Sequence, residues 1–216
     1  MMRTHFLSLI FLLISISLIA QSTNVLIGVE FSEDHISGES YLSNSNGLPG
    51  SSILRNEYNY TIGVNLTFTK TSNWELKTGI HFTNKDYNSS FYCINCLSII
   101  MQPELRQQRF LTVPLLLGYR NHEKKFKPFF ELGIVHNYGL SEPNSVNKQN
   151  FLEGQLGIGL AYMIIESLEI ELSYKFRSTL SAVYENNILS VPLGDEYEMN
   201  KLSTNSLSFG LSYRLN

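Results

Sequence analysis

Between Tyr58 and Phe68 the chain alternates. Tyr58, Tyr60, Ile62, Val64, Leu66 and Phe68 are apolar or aromatic, and Asn59, Thr61, Gly63, Asn65 and Thr67 lie between them. A period of two belongs to a strand whose two faces meet different surroundings. The same rhythm returns over residues 25–31, 74–83, 111–120, 127–134, 152–162, 168–177 and 206–215, which predicts eight strands. Short connections are expected around Thr71–Asn73, Asn121–Lys124 and Ile165–Ser167. Long ones, rich in Ser, Asn, Gly and Pro, are expected at about 33–56, 88–105, 139–149 and 183–202. Pro114 falls inside a strand, where it removes a ladder donor, and the reading expects a local bulge there.

Alternating strands build either a soluble barrel, apolar inside, or a membrane barrel, apolar outside. Three features favour the second. The apolar rows carry almost no charge. Tyr58, Tyr60, Trp74, Tyr119, Tyr162, Tyr174 and Tyr213 fall at strand ends, as interfacial girdles do. The opposite rows carry glycine in seven of the eight strands, including Gly28, Gly63, Gly79, Gly118, Gly133, Gly157 and Gly210, which makes room inside a narrow lumen. The expected fold is therefore all-β: an eight-stranded antiparallel up-and-down transmembrane β-barrel with short turns in the periplasm and four long loops outside. An even strand count places both termini in the periplasm.

The first twenty residues read as a signal peptide: Arg3, then an apolar run over Phe6–Ala20, then a small residue before Gln21. Fifteen apolar positions fall short of the roughly 20 a spanning helix needs. The expected organisation is a leader at 1–20 and an outer-membrane barrel domain at 21–216. Composition adds exclusions. A formal charge of −3 offers no basic surface for nucleic acid, and 13 Phe with 12 Tyr among 216 residues excludes a disordered chain.

Two segments carry a family resemblance: Arg109-Phe-Leu-Thr-Val-Pro114-Leu-Leu-Leu-Gly-Tyr119, and Lys127-Pro-Phe-Phe-Glu131-Leu-Gly133. With the leader ending at Ala20–Gln21 they resemble the PorT-like outer-membrane β-barrel proteins of Bacteroidota. The resemblance implies a small barrel, and one member of that group is tied to a secretion system.

The inward rows collect Glu30, Glu75, Lys77, Arg120, Lys127, Glu131, Glu153, Glu169, Glu171, Lys175, Arg177 and Arg214. Near balance of sign suggests a salt-bridged lumen, since a buried charge without a partner is costly. The spacing of Glu169, Glu171, Lys175 and Arg177 favours pairing with adjacent strands. The alternative reading of these charges is a narrow ion path or a proton-active site.

Cys93-Ile-Asn-Cys96 lies in the second long loop, outside the βα setting a redox CxxC requires. In an exported protein its expected state is a local disulfide, with free thiols as the alternative. His35, His81, His122 and His136 show no metal or triad spacing, and His81 is expected inside the barrel. No catalytic residue, cofactor or metal ligand is assigned.

The leading functional reading is a non-enzymatic outer-membrane barrel, with outer-membrane lipids and an envelope or secretion-system protein as its partners. It is weighed against a membrane enzyme (lipid-modifying or proteolytic) and against a narrow solute pore.

Overall fold

The computed structural model describes residues 24–42, 49–56, 58–69, 73–91, 104–121, 124–140, 150–180 and 197–215. The leader at 1–20 and the Cys93/Cys96 pair lie outside the described residues. Among the described residues nine strands are formed: β1 Asn24–Leu42, β2 Pro49–Asn56, β3 Tyr60–Thr69, β4 Trp74–Phe91, β5 Glu104–Arg120, β6 Phe126–Gly139, β7 Asn150–Ile165, β8 Leu168–Thr179 and β9 Tyr197–Leu215. β2 and β3 run in series between the same two neighbours. β2 pairs with the outer parts of β1 and β4, and β3 pairs with their inner parts. Together they fill one staff of an eight-staved barrel, and every neighbouring pair is antiparallel.

β9 closes the barrel on β1, pairing from Val25 opposite Leu215 to Leu42 opposite Tyr197 with a one-residue register shift between Glu39 and Tyr41. The chain therefore enters β1 and leaves β9 at the short-turn end. The paired register measures the stagger of the wall. From Pro128 it runs through Leu160, Leu172, Phe209, Phe31, Ile62, Phe82 and Leu111 to Tyr138, ten residues further along β6 than it began. Such a stagger forces the strands to tilt strongly, typically by about 35–45° from the barrel axis.

Every side chain on that circuit points outward, and nearly all are apolar. On the long-loop side polar residues enter the outward rows, at Glu33 and His35 on β1, Arg109 on β5, His136 on β6 and Asn205 on β9. At the opposite end Trp74 packs edge-on against Tyr119 at 5.4 Å and Phe130 at 6.2 Å. Nearer the long loops Tyr60 lies between Phe31 and Phe82. The solvent-side and core-side roles are thus inverted: the largest apolar residues are exposed, and the interior is mostly polar. That is the arrangement required when hydrocarbon surrounds the wall.

Two expectations are corrected. The expected long connection at 33–56 is largely strand: β1 continues to Leu42 and β2 occupies Pro49–Asn56; β4, β5 and β9 likewise extend into the expected connections. Pro114 causes no bulge. Its row stays in register with β6 opposite Val135, and the β4 pairing resumes in the same register on either side, at Thr78–Leu115 and His81–Thr112. Pro114 lacks a donor toward β4, and Thr78 compensates by donating its hydroxyl to the Pro114 carbonyl at 2.8 Å.

Candidate functional site

The lumen is the candidate site. Among the described residues, seven carboxylates (Glu30, Asp34, Glu75, Glu131, Glu153, Glu169, Glu171) and six cations (Lys77, Lys85, Arg120, Lys127, Lys175, Arg177) are buried there. Arg214 joins them, partly exposed at the short-turn mouth.

The charges form three tiers along the axis. At the short-turn end Arg120 donates to Glu171 at 2.8 Å and Glu169 at 3.2 Å, and its Nε lies 3.0 Å from Glu75. Lys127 and Arg214 both reach Glu169. The Arg120 guanidinium also covers the Phe129 ring, 4.7 Å from its centroid. In the middle, Lys77 bridges Glu30 at 3.1 Å, Glu131 at 3.5 Å and Glu171 at 3.9 Å. Lys175 bonds Glu30 and lies 3.7 Å from Glu131, while Gln155 donates to Glu131 at 2.8 Å. His81 shares a hydrogen bond of 2.7 Å with the Asn65 side chain, and Asn65 in turn donates to Glu30.

Toward the long loops Arg177 donates to Asp34 at 2.9 Å, and Lys85 meets Glu153 at 2.9 Å with both side chains fully buried. A belt of small polar groups joins these two pairs around the wall. Thr61 donates to Asp34, Thr83 contacts both Thr61 and Thr112, Thr112 donates to Asn137, and Asn137 donates to Glu153. Above this belt apolar side chains join the inward rows: Ile36, Phe110, Phe151 and Leu202 are all buried, beside Gln108 and Thr179. The Lys85 ammonium lies 5.8 Å and 5.3 Å from the Phe110 and Phe151 rings.

Glycine explains how long side chains fit in so narrow a tube. Glu75 is paired in the ladder with Gly118, and Glu131 with Gly157. A β-carbon at Gly118 would lie 2.8 Å from Glu75 Cγ, and one at Gly157 would lie 2.6 Å from Glu131 Cγ. Each carboxylate stem therefore lies flat across its neighbour's bare backbone before turning into the lumen. Gly157→Ala is expected to displace Glu131 from Gln155 and Lys77 and to cost about 1–3 kcal/mol, the usual penalty of overpacking. Urea unfolding in phosphatidylcholine vesicles measures it; an unchanged midpoint would show that the stem has other room.

Of the twelve charges that the sequence places on the inward rows, Glu30, Glu75, Lys77, Arg120, Lys127, Glu131, Glu153, Glu169, Glu171, Lys175 and Arg177 are buried in this interior, and Arg214 is partly exposed at its short-turn mouth. The expected adjacent-strand pairing is corrected: neighbours join at Arg120–Glu75 and Arg214–Glu169, but Lys85–Glu153, Lys77–Glu131, Lys127–Glu169, Lys175–Glu30 and Arg177–Asp34 span the lumen or skip a strand. Tilt is the reason, since it brings residues far apart along the strands to one height. Asp34 and Lys85 were missed. Each continues an inward row by a further step of two, from Glu30 and Ser32 to Asp34 and from His81 and Thr83 to Lys85. His81 is buried in the lumen, while His35 and His136 face outward.

Solved structures share this architecture. The outer membrane protein OprG from Pseudomonas aeruginosa aligns with a TM-score of 0.59 at 14% identity, covering 91% of this chain and 97% of that one. The outer membrane protein AlkL in lipid bilayers aligns with a TM-score of 0.52 at 14% identity, covering 91% of each chain. Neisserial surface protein A aligns with a TM-score of 0.50 at 9% identity, covering 88% of this chain and 96% of its own. Identities this low speak to the fold alone. No curated protein matches the chain by sequence. The outer membrane protein beta-barrel domain family, whose model matches residues 6–214, is the family to which this chain belongs, and its place is the outer membrane.

Proposed function

We propose that the chain is a non-enzymatic barrel with a closed lumen, which anchors its external connections at the cell surface in a structural, adhesive or secretion-accessory role. The observation that carries this reading is the charge pairing inside the wall. Among the described residues, seven buried carboxylates face six buried cations and the partly exposed Arg214, and most pairs span the lumen or skip a strand. A cavity lined by Glu30, Lys77, His81, Lys175 and Arg177 measures about 10 Å3, room for one water molecule. An interior of that kind supports the wall and leaves the work to what the barrel displays. The PorT-like resemblance of 109–119 and 127–133 agrees with an accessory role, and an envelope or secretion-system protein is the partner class we put first.

Planar-bilayer recording tests the closed lumen. The pure protein is expected to give small, flickering or absent currents. Glu131→Gln, which removes one charge from the middle tier, is expected to raise leakage or lower stability, because Lys77 and Lys175 lose part of their neutralisation. Large, steady, weakly selective currents from the wild type would overturn the closed lumen and put the pore reading first.

A further inference from the structure

The outward face of β6–β9 is not a smooth cylinder. Near the short-turn end a cavity of about 160 Å3 opens onto the lipid, walled by the outward Phe126, Leu160, Tyr162, Ile170, Leu172 and Phe209, with Ala161 and Glu171 of the inward rows also lining it. Its shape follows from the register. Phe126, Tyr162 and Ile170 form one outward row across β6, β7 and β8, while Leu160, Leu172 and Phe209 form the next row up. The Phe126 and Tyr162 rings lean together, with centroids 4.8 Å apart, and form the lower lip.

Just beyond that lip, on the turn side, stands Lys125. Its ammonium lies 5.2 Å from the centre of the Tyr162 ring. Its backbone is tied to β7, for the Met163 N–H donates to the Lys125 carbonyl at 3.0 Å. Lys124 beside it is also exposed.

The membrane decides what fills such a groove. Water gains nothing from an apolar hollow, whereas hydrocarbon is the local solvent. The volume is close to the ~150 Å3 of an apolar cavity that accepts a benzene-sized guest, so it takes a stretch of one acyl chain. The chain's polar end then lies at the short-turn interface, where an ammonium on a flexible stem meets a phosphate as a point charge.

We infer that this groove seats one acyl chain of a phospholipid from the periplasmic leaflet, with the phosphate held by Lys125. The site is independent of what the external loops do, because it uses only the lipid-facing wall and one turn.

Native mass spectrometry of the folded protein, released from detergent after titration with dioleoyl phosphatidylethanolamine or dioleoylglycerol, tests it. A single phosphatidylethanolamine adduct is expected to dominate, with the phosphate-free lipid retained about fivefold less, the order of effect one interfacial lysine supplies. Lys125→Ala is expected to erase that preference. Leu160→Trp fills the groove and is expected to lose both adducts, while Ile134→Trp, on the same wall outside the groove, keeps them. Wild-type adducts with no single dominant lipid would overturn the site, as would adducts unchanged in a folded Leu160→Trp. Lys125→Ala lies in a turn and leaves the wall intact, so an undiminished preference there would overturn the phosphate assignment by itself.

Discussion

Arg120→Met is expected to cost about 3–5 kcal/mol of folding stability, the range found when one member of a buried ionic cluster is deleted. The guanidinium is 1% exposed and serves three carboxylates, those of Glu75, Glu169 and Glu171, from one planar fork. Methionine keeps much of the length and its contact with Phe129 but none of the charge. Glu169 retains Lys127 and Arg214, and Glu171 retains Lys77 at 3.9 Å, so the acids of this tier are left crowded rather than wholly bare. The single tryptophan, Trp74, stands on the wall beside this tier and reports unfolding in phosphatidylcholine vesicles by its fluorescence. Adding Glu75→Gln and Glu171→Gln to the variant is expected to restore much of the loss, because two of the three crowded charges then disappear. A single variant as stable as wild type would mean that the tier is solvated and the pairing incidental.

Leu172→Arg is expected to cost about 2–4 kcal/mol, the penalty for arginine near the midplane of a barrel's lipid face. Leu172 is 53% exposed and central in the outward row of β8, between Leu168 and Phe176. Its neighbour Ser173 faces the lumen, so Ser173→Arg probes crowding among Lys175, Glu171 and their partners instead. Equilibrium refolding into vesicles separates the two. If Leu172→Arg inserts as stably as wild type, the assignment of faces is reversed.

The faces of the strands were legible because lipid enforces a strict rule: every second residue over the buried span must be apolar. That rule located Tyr58–Phe68 and Leu168–Phe176 and, by subtraction, twelve lumen charges. It stopped where the lipid stops. Beyond the apolar band, outward positions such as Glu33, His35, Arg109 and Asn150 are polar too, so alternation vanishes although the strands continue. Asp34, Lys85 and the inward apolar group of Ile36, Phe110, Phe151 and Leu202 all belong to that extension. That the charges pair was legible in their near balance of sign, but the full set of partners was not. Which carboxylate meets which cation depends on the height each reaches on a tilted wall, and height depends on a stagger of ten residues that no single strand records. Pro114 misled for a related reason: the compensating hydroxyl of Thr78 lies on another strand.

The seam between β1 and β9 carries a consequence for the order of assembly. Glu30 and Asp34 stand on β1, and Lys175 and Arg177, which bind them, follow 145 and 143 residues later, while Lys77 reaches Glu30 from only 47 residues on. Contacts of such long range form late and slowly. Until β8 and β9 arrive, β1 holds an open edge and Asp34 stands without the Arg177 guanidinium, and an open edge is a template for wrong partners. The rate of closure, rather than the strength of the finished wall, therefore sets how long a newly made chain needs shelter on its way into the membrane.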